Sequence, residues 1–199
     1  MRKVGLGKQV MADCFFRGAP LYRIPEARVS IKMSQDVQPV GEAHEQRWPM
    51  LVFWLAVVAA VGAVGSWVTL PQIPGWYAGL AKPWFTPPNA VFGPAWTTLY
   101  LMMAVAVWLV GRMPPSSART AAIALFVVQL ACNAIWSPAF FGLQAPRLGL
   151  AVIAVLLASL AATIAVFWRI SRPAALLLVP YLAWVCYATA LNGAIVALN

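Results

Sequence analysis

The side chains of this chain that could do chemistry are indoles, phenols and carboxamides. From Trp48 to Asn199 there is no Asp, no Glu and no His, and the five acidic residues (Asp13, Glu26, Asp36, Glu42, Glu45) all precede Trp48. Carboxylates and imidazoles are the usual general acids and bases, proton carriers and hard-metal ligands. Their absence argues against a carboxylate relay, a metal hydrolase or a carboxylate-coupled pump, and no metal site is expected. Cys14, Cys132 and Cys186 show no CxxC spacing, and the last two fall in apolar runs. They read as small buried residues rather than redox or metal-binding ones.

Spacing groups some of the remaining candidates. Gln129, Asn133 and Trp136 fall at i, i+4 and i+7, one face of a helix, as do Trp184, Ala188, Leu191 and Asn192. Hydrocarbon accepts a carboxamide poorly, so in a membrane these faces should point inward. Hydrogen bonding between neighbouring helices is the plainer use of such amides. Trp48, Trp67, Trp108 and Trp168 lie near the ends of apolar segments, where indoles anchor at lipid headgroups. Trp96 and Trp136 lie deeper. Pro180, just before Tyr181, and Pro138, just after Ser137, each free a backbone carbonyl and bend a helix, opening space for a ligand or lipid.

The elements that must position these groups follow from hydropathy. The 199 residues are 62% apolar and 10% charged, with a mean hydropathy of +0.78, the balance of a membrane protein rather than a soluble domain. Five apolar segments cover about Trp48 to Leu70, Ala90 to Val110, Thr120 to Phe141, Leu148 to Trp168 and Pro173 to Leu198. Each has about 21 to 26 residues, enough at about 1.5 Å per residue to cross a hydrocarbon core of about 30 Å. The first and fourth carry almost no polar face, so core helices of a soluble bundle are a poor alternative. The expected fold is an all-α integral membrane bundle of five transmembrane helices over residues 48–199. Residues 1–47 form a basic tail with no sustained apolar period, expected to be disordered. The tail does not read as a signal peptide, and Met33 and Met50 are alternative translation starts.

The net charge of +9 does not point to nucleic acid, because the basic residues sit in the tail and at segment ends without a binding motif. Arg112, Arg119, Arg169 and Arg172 share a side with the tail, and Lys82 and Arg147 lie on the other. Positive-inside bias then places the N-terminus in the cytoplasm if the membrane is an inner one, in a bacterial cell envelope.

In this antiparallel arrangement Trp96, Asn133, Trp136, Trp184, Ala188 and Asn192 share the outer half of the bundle, roughly 8 to 20 Å deep. Above them runs WYAGLAKPWFTPPNAVFGPAW, Trp76 to Trp96, stiffened by Pro83, Pro87 and Pro88. It reads as a lid of about twenty residues over an aromatic pocket.

Three stretches, WYAGLAKPWFTPPNAVFGPAWTTLY, QLACNAIWSPAFFG and PYLAWVCYATALN, resemble the translocator protein family, also called tryptophan-rich sensory proteins or peripheral-type benzodiazepine receptors. The resemblance covers about residues 48–199. It implies a five-helix, usually dimeric protein that binds porphyrins such as protoporphyrin IX, with animal relatives also binding cholesterol and benzodiazepine-site ligands. Carried over by motif, Trp76, Trp96 and Trp184 are the porphyrin-associated tryptophans, Asn133 and Trp136 line the pocket, and Ala188 matches a small residue that influences affinity. Ala78 and Gly79 follow the first-loop WY, as in animal members, where many bacterial ones carry an acid. LNGAIVALN lacks the Tyr-then-basic pattern of the animal sterol motif, so sterol binding by that route is not expected.

The candidate ligand set is therefore Trp76, Trp96, Gln129, Asn133, Trp136, Tyr181, Trp184, Ala188 and Asn192, with Lys82 and Arg147 as candidate contacts for porphyrin propionates. The ligand is a porphyrin or another hydrophobic small molecule, with no further cofactor. The leading reading is a membrane receptor or transporter acting in tetrapyrrole transport, regulation or stress response. Two others stay open: a light-dependent porphyrin-degrading enzyme using Trp96 and Trp184, and a ligand-responsive signalling scaffold. Small residues on the first helix (Ala59, Ala60, Gly62, Ala63, Gly65) and third helix (Ala121, Ala122, Ala124) are compatible with a homodimer.

Overall fold

Five helices long and apolar enough to cross a membrane make up a computed structural model that describes residues 48–199. They are α1 (Trp48–Thr69), α2 (Asn89–Gly111), α3 (Ser117–Ser137), α4 (Pro146–Ile170) and α5 (Arg172–Leu198). The expected tail and its alternative starts lie outside the described residues. Among those residues there is no strand, as a lipid environment requires of a chain whose backbone must satisfy itself within each segment.

Each helix begins or ends within a few residues of its apolar run, with two informative exceptions. Beyond α1 the backbone passes into a 3₁₀ turn, Leu70–Gln72, and a wide π turn, Ile73–Tyr77. It stays helical through Gly79, so the non-helical link to α2 spans only residues 80–88. Pro71 and Pro74 sit at the first positions of these turns, where a missing N–H is tolerated. They change the helical repeat instead of breaking the helix. Trp76 therefore stands on a helical extension, a correction to the twenty-residue lid. In the same way α3 runs on through a π turn, Pro138–Gly142. Gln144, with φ of 52°, then reverses the chain toward α4. A hydrogen bond of 3.1 Å from Gln144 Nε2 to Gln72 Oε1 joins the two extensions.

The helices close into a ring. α1 packs on α2, α2 on α5, α5 on α4, α4 on α3, and α3 on α1. The two ends of the ring are packed differently. Toward the α2–α3 and α4–α5 connections the centre is solid, with Met103, Val107, Phe126, Leu160, Phe167 and Leu178 fully or almost fully buried. Ala104, Ala106, Ala174 and Ala175 are also at 0% exposure, letting backbones approach closely. Arg119 closes this end: its guanidinium donates to Met113 O at 2.8 Å, and Ser116 Oγ accepts from its backbone N at 3.1 Å as the N-cap of α3. Arg112 lies 4.5 Å over the Trp108 ring.

At the opposite end the helices separate. On α1 only Trp54 and Val58 are buried, and its glycines face neighbours of the same chain. A Cβ on Gly62 would stand 3.0 Å from the Tyr100 ring, and one on Gly65 would stand 3.4 Å from Ser137 Oγ. Ala59, Ala60 and Ala63 remain exposed.

Candidate functional site

The looser half encloses a cavity of about 620 Å³, within the range of small-molecule sites. Helix α1 supplies small wall residues, among them Gly62, Gly65, Ser66 and Thr69. Helix α2 supplies Phe92, Gly93, Trp96 and Tyr100, and α3 supplies Asn133, Trp136 and Ser137. Trp184, Val185 and Ala188 come from α5, and Ile153 and Leu156 close the back from α4. None of the residues lining it is charged.

Two aromatic surfaces define its shape. On one side the Trp96 ring lies 5.4 Å from Tyr100, 6.1 Å from Tyr181 and 6.4 Å from Trp184, the last two edge-on. On the other, Trp136 stacks on Phe140 at 5.2 Å. The Trp136 Nε1–H is buried without a hydrogen-bond acceptor among the described residues.

A polar floor joins three helices. Tyr100 OH donates to Asn133 Oδ1 at 2.8 Å, and Asn133 Nδ2 donates to Tyr181 OH at 2.9 Å. Asn133 thus uses both ends of its amide to tie α2 and α5 to α3. Tyr100 and Asn133 line the cavity at the depth where tight packing begins, and Tyr181 backs them.

The structure brings Trp96, Asn133, Trp136, Trp184 and Ala188 to one cavity. Tyr181 stands behind Trp96, fully buried, and reaches the site through Asn133. Trp76 does not line the cavity; it packs edge-on against Phe140 and Phe141 at 5.6 and 6.2 Å, in the aromatic plug beneath the link. Gln129 shares a helix face with Asn133 but lies one turn deeper, below the floor. Its amide makes no hydrogen bond among the described residues.

Asn192 is engaged elsewhere. With its amide oriented to match both neighbours, it donates to Pro146 O at 2.9 Å and accepts from Leu150 N at 3.0 Å. It thereby stitches α5 into the first turn of α4. Gly149 permits this approach, since a Cβ there would stand 2.9 Å from the Phe140 ring and 3.1 Å from the Asn192 amide.

Neither expected cation lines the cavity. Lys82 Nζ donates to Ala78 O at 3.2 Å and Leu80 O at 3.1 Å and lies 4.8 Å over the Tyr77 ring. It caps the carbonyl end of the α1 extension. Arg147 is exposed in the first turn of α4.

Sequence reasoning passed over Tyr100, Tyr77, Phe92 and Phe141, all of which line the cavity. Tyr100 carried a usable signal, because it lies four residues after Trp96 on the same face. The site can stack a flat apolar molecule and offer it phenol and amide hydrogen bonds. With no acid, base or charged group in the lining, it can do little conventional proton transfer.

Residues 53–198 match the model of the TspO/MBR family. The chain is 43% identical over 152 residues to the tryptophan-rich protein TspO of Archaeoglobus fulgidus, covering 75% of this chain and 96% of that protein. It is 39% identical over 146 residues to the tryptophan-rich sensory protein of Cereibacter sphaeroides, covering 73% of this chain and 90% of that protein. With the human translocator protein it shares 43% identity over 121 residues, covering 59% of this chain and 70% of that protein.

Proposed function

The chain belongs to the TspO/MBR family, and on that premise we propose that this integral membrane protein is a receptor or carrier for a porphyrin-class ligand in tetrapyrrole transport, regulation or stress response. The ligand sits in the cavity between Trp96, Trp136 and Trp184. The observation that carries this reading is the convergence of three indoles from three helices on one uncharged space of about 620 Å³. Indole faces stack a flat aromatic ring, each such pair contributing about 0.5–1.5 kcal/mol beyond area burial.

The same uncharged lining says how such a ligand would be oriented. A carboxylate carried into this space would lose its hydration without gaining a cation. The macrocycle therefore enters first, and its propionates stay at the mouth. Lys82 meets a propionate only by leaving the carbonyls of Ala78 and Leu80.

Protoporphyrin IX and its dimethyl ester separate these points when titrated by quenching of tryptophan fluorescence. Similar affinities for both, and little change in Lys82→Ala or Arg147→Ala, are the expected result. Strong preference for the free acid, lost in either variant, would show a carboxylate clamp. No saturable quenching by either compound would overturn the reading.

A second reading, light-dependent degradation of the bound porphyrin, draws support from the edge-on contact of Trp96 and Trp184 at 6.4 Å on the cavity wall. An indole there would exchange an electron with a photoexcited macrocycle, with dissolved dioxygen as the oxidant that ring opening consumes. Illumination that yields a discrete product spectrum in the wild type but not in Trp96→Phe or Trp184→Phe supports catalysis. Bleaching at the rate of free porphyrin supports a binder.

A further inference from the structure

The link between α1 and α2 is fastened to α5 at two places far away in sequence. Asn199 pairs with the backbone of Ala81 as a neighbouring strand would: its Oδ1 accepts from Ala81 N at 3.0 Å, and its Nδ2 donates to Ala81 O at 3.0 Å. The same Nδ2 donates to Ile195 O at 2.9 Å, which holds the side chain against the end of its own helix. Further along the link, Tyr187 OH donates to Phe85 O at 2.8 Å, and the two rings meet edge-on at 6.3 Å.

Between these anchors the link holds its own shape. Thr86 donates to Pro83 O through both its backbone N, at 3.0 Å, and its hydroxyl, at 2.8 Å. Pro83, Pro87 and Pro88 fix their φ angles. A segment of this kind moves as a unit rather than unravelling. Its two ends run into the parts of α1 and α2 that carry cavity residues, through Tyr77 on one side and Asn89 and Ala90 on the other. Tyr187 also touches Trp184 of the cavity wall at 5.7 Å.

We propose that Asn199 and Tyr187 are positioning residues that latch the 80–88 link to α5, and that release of this latch sets the rate at which ligand exchanges with the cavity. The latch uses neutral groups, and its Asn199 bonds lie at an exposed site. Exposed hydrogen bonds of this kind contribute modestly, so the latch opens readily while the solid half of the bundle stays closed. The rate-setting half of the proposal rests on the ligand reading above; the fastening itself does not.

The test uses the full chain in lipid nanodiscs and has two arms. In the first, hydrogen exchange is followed without ligand in wild type, Asn199→Ala and Tyr187→Phe. Exchange across residues 78–88 should rise about tenfold in Asn199→Ala, the factor for losing roughly 1.4 kcal/mol of hydrogen bonding. Amides of α3 and α4 should keep their wild-type rates; acceleration throughout the chain would mean general destabilisation and would overturn the local latch. Tyr187→Phe, which removes a single oxygen, serves as the gentler variant. Unchanged exchange of the link in both variants also overturns the latch.

In the second arm, protoporphyrin IX is the probe and its association and dissociation are timed by stopped-flow fluorescence. Both rates should rise in the variants, with Kd moving less than either. Asn199→Gln, which keeps the amide, should fall between wild type and Asn199→Ala. A freed link with unchanged porphyrin rates would overturn the rate-setting role. Failure of wild type to bind porphyrin would count against the ligand reading alone, with the exchange arm still deciding the latch.

Discussion

Asn133 is the residue on which the site depends most closely. It accepts a hydrogen bond from Tyr100 OH at 2.8 Å and donates one to Tyr181 OH at 2.9 Å, so replacing it strands two phenols at once. Asn133→Leu should lower stability by about 1–3 kcal/mol, the cost of buried groups left unpaired, and should weaken porphyrin binding as Tyr100 loses its fixed position. Thermal unfolding in detergent and a quenching titration check the two halves separately. Gln129 should behave in the opposite way. Its buried amide has no partner among the described residues, so Gln129→Met should leave stability equal or higher and binding unchanged. A clear loss in either measurement would show that the amide has a role the fold does not reveal.

Gly62 tests the same wall from the other side. A Cβ there would press on Tyr100 at 3.0 Å, so Gly62→Val should push the phenol into the cavity. Reduced porphyrin affinity, with a lower unfolding temperature because the displaced phenol leaves Asn133, is the expected outcome, measured in the same two assays.

Among the elements, α4 depends on its junction with α5. Asn192 bonds Pro146 O and Leu150 N in the first turn of α4, and Gly149 leaves room for both Asn192 and Phe140. Gly149→Leu should cost about 1–3 kcal/mol through overpacking, seen as earlier thermal unfolding. This junction also shows what the sequence could not reveal. Periodicity places Asn192 on an inward face of α5, but a face is shared between neighbours, and nothing in the spacing says that α4 claims the amide before the cavity does. Lys82 escaped for a similar reason, because backbone carbonyls at a helix end leave no mark in the side-chain pattern. Pro138 was legible as a bend within the third segment, whereas nothing in the pattern showed that the turns around Pro71 and Pro74 carry α1 onward. What was legible follows from the solvent. Hydrocarbon demands long apolar helices, and counting depth along them was enough to bring Trp96, Asn133, Trp136 and Trp184 together.

On the scale of the whole molecule, one half of the ring is packed solid and the other is hollow. Alanines and large apolar side chains fill the half that ends in Arg112, Arg119, Arg169 and Arg172, while glycines and indoles leave the other half open below the 80–88 link. A rigid base with a cavity above it suits a protein that must hold a flat guest and release it. The central claim is that the guest occupies this cavity, and filling the space tests it most directly. Ala188 lines the wall beside Trp184, so Ala188→Phe should obstruct the site while preserving the helix. Titrated with protoporphyrin IX by tryptophan quenching, Ala188→Phe should lose at least about tenfold in affinity, or 1.4 kcal/mol, with its unfolding temperature close to that of wild type. Affinity and maximal quenching equal to wild type in a folded Ala188→Phe protein would contradict the account.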